Sequence, residues 1–168
     1  MSPSRSYAIL FVILFLTAVS IAQETERTAT CHFEDGNAIT IRYQALPTTK
    51  QFMVPIGKVW SPGDVPMFLF TDAPLQLGNA NLEVRAYSLY VIAGKEQEPW
   101  TLIVNKNVDP KAAYDRSQDL VRIPMQTGEL PHPRKGFDVI LGRLGSQQCD
   151  LRIYTGKTGA FGAEFKQK

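Results

Sequence analysis

The chain has 168 residues, 44% of them hydrophobic and 20% charged, and 18 Lys and Arg against 16 Asp and Glu leave a formal net charge of +2 at pH 7. A balance this close to neutral, with no stretch that gathers basic residues, excludes the phosphate-tracking surface that nucleic-acid binding requires and offers little long-range steering of charged ligands. The length suits one domain with a core of its own, and two would be cramped.

Chain order begins with a leader. Arg5 precedes an unbroken apolar run from Tyr7 to Leu16, and small residues ending in Ser20-Ile21-Ala22 lead into the polar Gln23-Glu24. That order predicts a cleavable secretory signal over residues 1–22. Thr17 and Ser20 interrupt the run before it reaches the roughly 20 apolar residues of a bilayer-spanning helix, and no Cys follows closely for lipid attachment. The expectation is an exported protein, periplasmic or extracellular, whose mature part at 23–168 is a single domain without a membrane span. Cys31 and Cys149, one near each end of that part, are the only cysteines. An even count in an oxidising compartment predicts a disulfide between them. No Asn-x-Ser/Thr sequon occurs.

The mature part reads as strands. Thr30-Cys31-His32-Phe33 and the alternating run 38–43, with Ile39, Ile41 and Tyr43 set between Thr40 and Arg42, flank Asp35-Gly36. This is a hairpin signal, because Gly accepts the positive φ of a tight turn. From 44 to 66 the alternation stops and Pro47, Pro55, Gly57, Pro62, Gly63 and Pro66 collect. Loops of that length inside a small domain are functional more often than not, and Val54, Ile56, Val59 and Trp60 are apolar enough to pack it onto a sheet. Further strands are predicted at 67–71, 75–77, 82–92, 99–105, 120–125, 137–144, 149–154 and 160–165, with Gly and Pro at the connections between several of them. Residues 109–118 fit a short helix or an irregular crossing equally well. About nine closely spaced strands, several apolar on both faces, predict an all-β domain of β-sandwich or jelly-roll type, not a single open sheet.

Catalytic equipment is sparse. The mature part holds two histidines, His32 and His132, far apart in sequence. Zinc sites use close-spaced His or Cys pairs, and a blue-copper site needs a second His near its Cys, so no metal or cofactor is predicted. There is no Gly-x-Ser-x-Gly elbow around Ser88. Paired carboxylates could be drawn from Glu34, Asp35, Asp64, Asp72, Asp115, Asp119 and Glu129, since glycoside hydrolysis needs only two acids at a set separation; each also reads as a turn or solvated charge. Trp60, Tyr90, Trp100 and Tyr114 offer stacking surfaces for sugars or apolar ligands if exposed, or core filling if not.

The segments Gly57-Lys58-Val59-Trp60, Ala86-Tyr87-Ser88-Leu89-Tyr90-Val91-Ile92-Ala93-Gly94, Trp100-Thr101-Leu102-Ile103-Val104-Asn105-Lys106 and Tyr114-Asp115, together with Cys31-His32-Phe33-Glu34-Asp35-Gly36 and the stretch 119–124, resemble in order and spacing the exported bacterial proteins grouped as domain of unknown function 2911. The resemblance implies an exported β-rich domain and carries over no activity, cofactor or catalytic residue. Arg85, Ala93 and the run 61–66 depart from the family's usual pattern.

The reading is a non-catalytic binding or interaction module of the bacterial envelope. Its expected surface is the loop around Lys58, Trp60 and Asp64, with Tyr90, Lys106 and Asp115, and its partner a small molecule, a glycan or an envelope protein. The alternatives are a carboxylate-dependent hydrolase acting on a glycan or related envelope substrate, and a purely structural envelope protein.

Overall fold

The computed structural model describes residues 26–46, 54–95, 98–134, 136–156 and 158–168; the predicted leader at 1–22 lies outside them. The strands are β1 (Glu26–His32), β2 (Ala38–Gln44), β3 (Val59–Trp60), β4 (Met67–Thr71), β5 (Leu75–Leu77), β6 (Ala80–Leu82), β7 (Ala86–Ile92), β8 (Trp100–Asn105), β9 (Asp119–Glu129), β10 (Phe137–Gly145), β11 (Gln148–Thr155) and β12 (Thr158–Gln167). Two single-turn 3-10 helices, Pro62–Asp64 and Arg116–Gln118, are the only helical pieces among the described residues. None is long or apolar enough to cross a membrane.

Local chemistry explains the first hairpin. In β2 the side chains of Ile39, Ile41 and Tyr43 are buried, while Arg42 between them is exposed, the period of two that a sheet with one covered face imposes. The turn before it works through Gly36 at φ +90° and through Asp35, whose carboxylate accepts from the Asn37 backbone N–H at 3.0 Å and from its side-chain amide at 2.8 Å. The predicted strand at 82–92 is broken in two. The Tyr87 hydroxyl accepts from the Glu83 N–H at 2.8 Å and donates to the Glu83 carbonyl at 3.2 Å, which ties the chain into a bend between β6 and β7. The segment 106–118 is an irregular crossing that ends in the single 3-10 turn Arg116–Gln118. Asn107 and Asp109 each accept from the backbone N–H two residues on, at 3.0 and 2.9 Å, so local turns compete successfully with helical bonding.

The chain is all-β, and the strands run in the order β1-β2-β4-β7-β8-β9-β12-β11-β10, every neighbouring pair antiparallel. β3 adds to β7, and the β5–β6 hairpin adds to the far end of β12. The strands form one hydrogen-bonded sheet, where the sequence reading sets a single open sheet aside in favour of a sandwich or jelly-roll. β9 is the reason. Its first part pairs with β8 from Asp119 to Met125, and its last part pairs with β12 from Gln126 to Glu129, on the other edge. One strand long enough to serve both layers keeps the ladder unbroken while the sheet folds over.

The two halves face each other across one core. Ile39, Ile41, Leu69, Leu89 and Leu102 come from one side, and Phe137, Leu151, Ile153 and Phe165 from the other. Folding over brings the ends of the path together. The predicted disulfide joins β1 to β11 through Cys31 and Cys149, with Cα atoms 6.3 Å apart. Towards the other end, the Tyr43 hydroxyl of β2 donates to the Asp138 carboxylate of β10 at 2.9 Å. The Phe137 ring lies between those of Tyr43 and Trp60, edge-on to both at centroid distances of 5.8 and 5.4 Å.

Candidate functional site

The two faces of β7 and β8 divide their side chains. Tyr87, Leu89, Val91, Leu102 and Val104 enter the core, so alternation sends Ser88, Tyr90, Ile103 and Asn105 to the opposite face. These four are nonetheless buried. Register aligns them with β9: Tyr90 lies across from Ile103 and Ile103 from Arg122, while Ser88 lies across from Asn105 and Asn105 from Asp119. Above them passes the strap 106–118, which places the Tyr114 ring edge-on to Tyr90 at 5.0 Å.

Asp119 is the hub. Its carboxylate accepts from the Tyr114 hydroxyl at 2.6 Å, from Arg122 Nε at 2.7 Å and from the Asn105 side-chain amide at 2.8 Å. A second Arg122 nitrogen donates to the Tyr114 hydroxyl. The same Asn105 amide donates to the Asp115 carbonyl at 2.9 Å, and the Ser88 hydroxyl to the Asn107 carbonyl at 2.6 Å. The strap is thereby stitched to the sheet at both ends. Such charge-assisted bonds are short and directional, so Tyr114 and Arg122 are held in fixed positions while each keeps part of its surface open.

Burial, then the hydrogen bond to Asp119 and its charge, push the Tyr114 phenol up to about 12. Burial and the same carboxylate also raise Tyr90. The sign for stability follows. A phenol whose pKa rises on folding contributes fully below its unfolded value near 10, and that contribution is lost as pH climbs through the folded value. Thermal unfolding followed from pH 9 to 12 is therefore expected to fall more steeply above pH 10 in the native protein than in Tyr114→Phe.

The six residues expected to form one surface fall into two groups. Tyr90 is inside the cluster, beneath Tyr114. Asp115 is at its margin, exposed, with its carboxylate accepting from the Ser117 backbone N–H at 2.9 Å and hydroxyl at 2.8 Å, contacts that hold its pKa below the usual value. Lys106 is exposed beside it, its backbone N–H bonded to the Gln118 carbonyl at 2.9 Å and its carbonyl to Arg85 at 3.3 Å. Lys58, Trp60 and Asp64 belong elsewhere, around β3, which pairs with the far end of β7 at Val91 and Ile92. Trp60 is across from core-facing Val91 and packs on Phe137, on the opposite face of the sheet from Tyr90. Asp64 is exposed in its 3-10 turn at φ +58°.

Asn105 and Arg122 were not singled out by sequence reasoning. Their signal was a polar residue recurring at the alternate, non-core positions of apolar strands, which means little until register places three such strands side by side. Among the described residues, no three His, Cys, Asp or Glu side chains come together as a metal cage would need. Asp119, with three donors on its two oxygens, is an anchoring carboxylate in this arrangement and is poorly placed to exchange a proton with a substrate.

No curated protein and no solved structure matches this chain. Four of the segments that carry the resemblance converge at the cluster: β7 brings Ser88 and Tyr90, β8 Asn105, the strap Tyr114, and β9 Asp119 and Arg122. The model of one family, described as a protein of unknown function (DUF2911), matches residues 24–160, most of the chain, and the chain belongs to that family.

Proposed function

We propose that the protein is exported and acts as a non-catalytic binding module of the bacterial cell envelope, its mature part 23–168 forming one domain and its ligand a glycan. The observation that carries this is the half-exposed Tyr114, clamped between Tyr90 and the Asp119–Arg122 pair at a point where four separate segments meet. A rigid aromatic ring with a guanidinium beside it offers a sugar both a stacking face and directed donors without ordering cost. Exposed Lys106 and Asp115 form the polar rim. The disulfide suits an oxidising compartment.

The hydrolase alternative is less well supported. The neighbouring carboxylates Asp115 and Asp119 are both committed to fixed donors, and that of Asp115 is held on the acidic side, whereas a glycosidase needs one carboxyl kept protonated. The test is a thermal-shift series with soluble cell-wall glycan fragments. Ligand at about 100 times its Kd stabilises by roughly 2.7 kcal/mol, so the melting temperature should rise in the native protein and stay level in Tyr114→Ala. No rise with any fragment would count against the reading.

A further inference from the structure

The guanidinium of Arg122 is planar, with its N–H donors in a fixed fork. Nε donates to Asp119 at 2.7 Å, and one η nitrogen donates to the Tyr114 hydroxyl. Those two bonds use the side-on edge, which Nε shares with that η nitrogen. The end-on edge, made of one N–H from each η nitrogen, meets no acceptor among the described residues. It is not buried either, since the one buried side-chain polar atom without a partner among those residues is Oε1 of Gln167. The end-on edge therefore opens to solvent beside the half-exposed Tyr114 ring. Its position is set from behind: Asp119 is also held by the Asn105 amide at 2.8 Å, and Tyr114 lies edge-on to Tyr90 at 5.0 Å. Little side-chain freedom is left to lose on binding.

Charge around the ring points the same way. The strap carries Lys106, Lys111 and Arg116 against Asp109 and Asp115. Both carboxylates are turned onto the strap's own backbone, Asp109 accepting from the Lys111 N–H and Asp115 from the Ser117 N–H, each at 2.9 Å. The ion pairs among the described residues are those of Arg42, Arg122, Arg134 and Arg152, so none involves a cation of the strap. Asp119 balances Arg122, which leaves the strap cations to attract an anion and the end-on edge to orient it.

We infer that the ligand is an acidic saccharide, its ring on Tyr114 and its oxyanion, a carboxylate or a phosphate, on the end-on edge of Arg122. This rests on the glycan reading and narrows it. Two parallel N–H groups match two oxygens of one carboxylate or phosphate, whereas a hydroxyl offers a single oxygen.

Sugars that share one ring test the inference. N-acetylglucosamine is neutral, N-acetylmuramic acid adds a carboxylate, its methyl ester removes that charge again, and N-acetylglucosamine 6-phosphate adds a phosphate. In NMR titrations of the native protein at low salt, at least one acid is expected to bind about tenfold more tightly than the neutral parent. The ester should return to the parent's affinity, and added salt should shrink the advantage of the acid. Whichever acid gains more identifies the source of the oxyanion. In Arg122→Gln, which loses the fork, the ratio of acid to neutral affinity is expected to fall to about one. Binding of a neutral cell-wall fragment with no gain from either acid would overturn this inference and leave the glycan reading standing; no binding by any sugar or fragment would overturn both. An advantage that the ester keeps, or that persists in a folded Arg122→Gln, would also overturn it. The ester comparison uses the native protein, so it decides the matter even if that variant does not fold.

Discussion

Replacing Cys31 and Cys149 together by alanine is expected to lower the free energy of unfolding by about 4–5 kcal/mol, the largest loss from any change considered. The sulfurs close a loop of 118 residues, and the entropy removed from the unfolded chain grows with loop length. Topology adds to this. β1 is at one end of the strand path and β11 is next to the other, so the crosslink holds together parts of the sheet that no ladder bond connects. Both side chains are buried, 4% and 0% exposed, so truncation also leaves unfilled space in the core. Urea unfolding of the native protein and the double variant, fitted for midpoint and slope, measures the difference. A loss below about 1 kcal/mol would mean that core packing alone sets the meeting of the two ends.

Asp119→Ala is expected to cost about 3 kcal/mol, a loss of three charge-assisted hydrogen bonds offset by the residual solvation of a partly exposed Arg122. The Asp119 side chain is 10% exposed and that of Arg122 29%. Removing the carboxylate therefore takes one acceptor each from the guanidinium, the Asn105 amide and the Tyr114 hydroxyl. Asp119→Asn keeps an acceptor at the same place and is expected to cost about 1 kcal/mol. The pair of variants separates lost charge from lost bonding. In Asp119→Ala the strap 106–118 should also become accessible to limited proteolysis, whereas the β1–β2 hairpin should not, because the Asp119 carboxylate bonds to the strap and to β8.

Much of the fold was legible because its signals are local. The Asp35-Gly36 turn and the alternation of Ile39, Ile41 and Tyr43 contain everything the first hairpin needs, and the disulfide follows from two cysteines. The single sheet was not legible, because it depends on β9 continuing through Gln126 to Glu129 and finding a second partner there. The predicted strand ends at 125, and Gly128 falls in the turn-forming connection read after it. Of the site, Tyr90, Tyr114, Asp115 and Asp119 could each be noticed as a residue type. Their assembly could not, because it depends on register, and a shift of one residue would move Ser88 and Tyr90 into the core. Trp60 drew attention for lying in a loop rich in Pro and Gly, yet two of those residues, Val59 and Trp60, form a strand on β7 and turn the indole onto Phe137.

The account turns on whether ligands meet the exposed side of Tyr114, beside Arg122. Titrating isotope-labelled protein with soluble cell-wall glycan, and following every backbone amide by NMR, tests this directly. Shifts should concentrate at 88–90, 103–106 and 114–122, and should vanish in Tyr114→Ala. Saturable shifts confined to 58–64, on the other group of residues, would contradict the account.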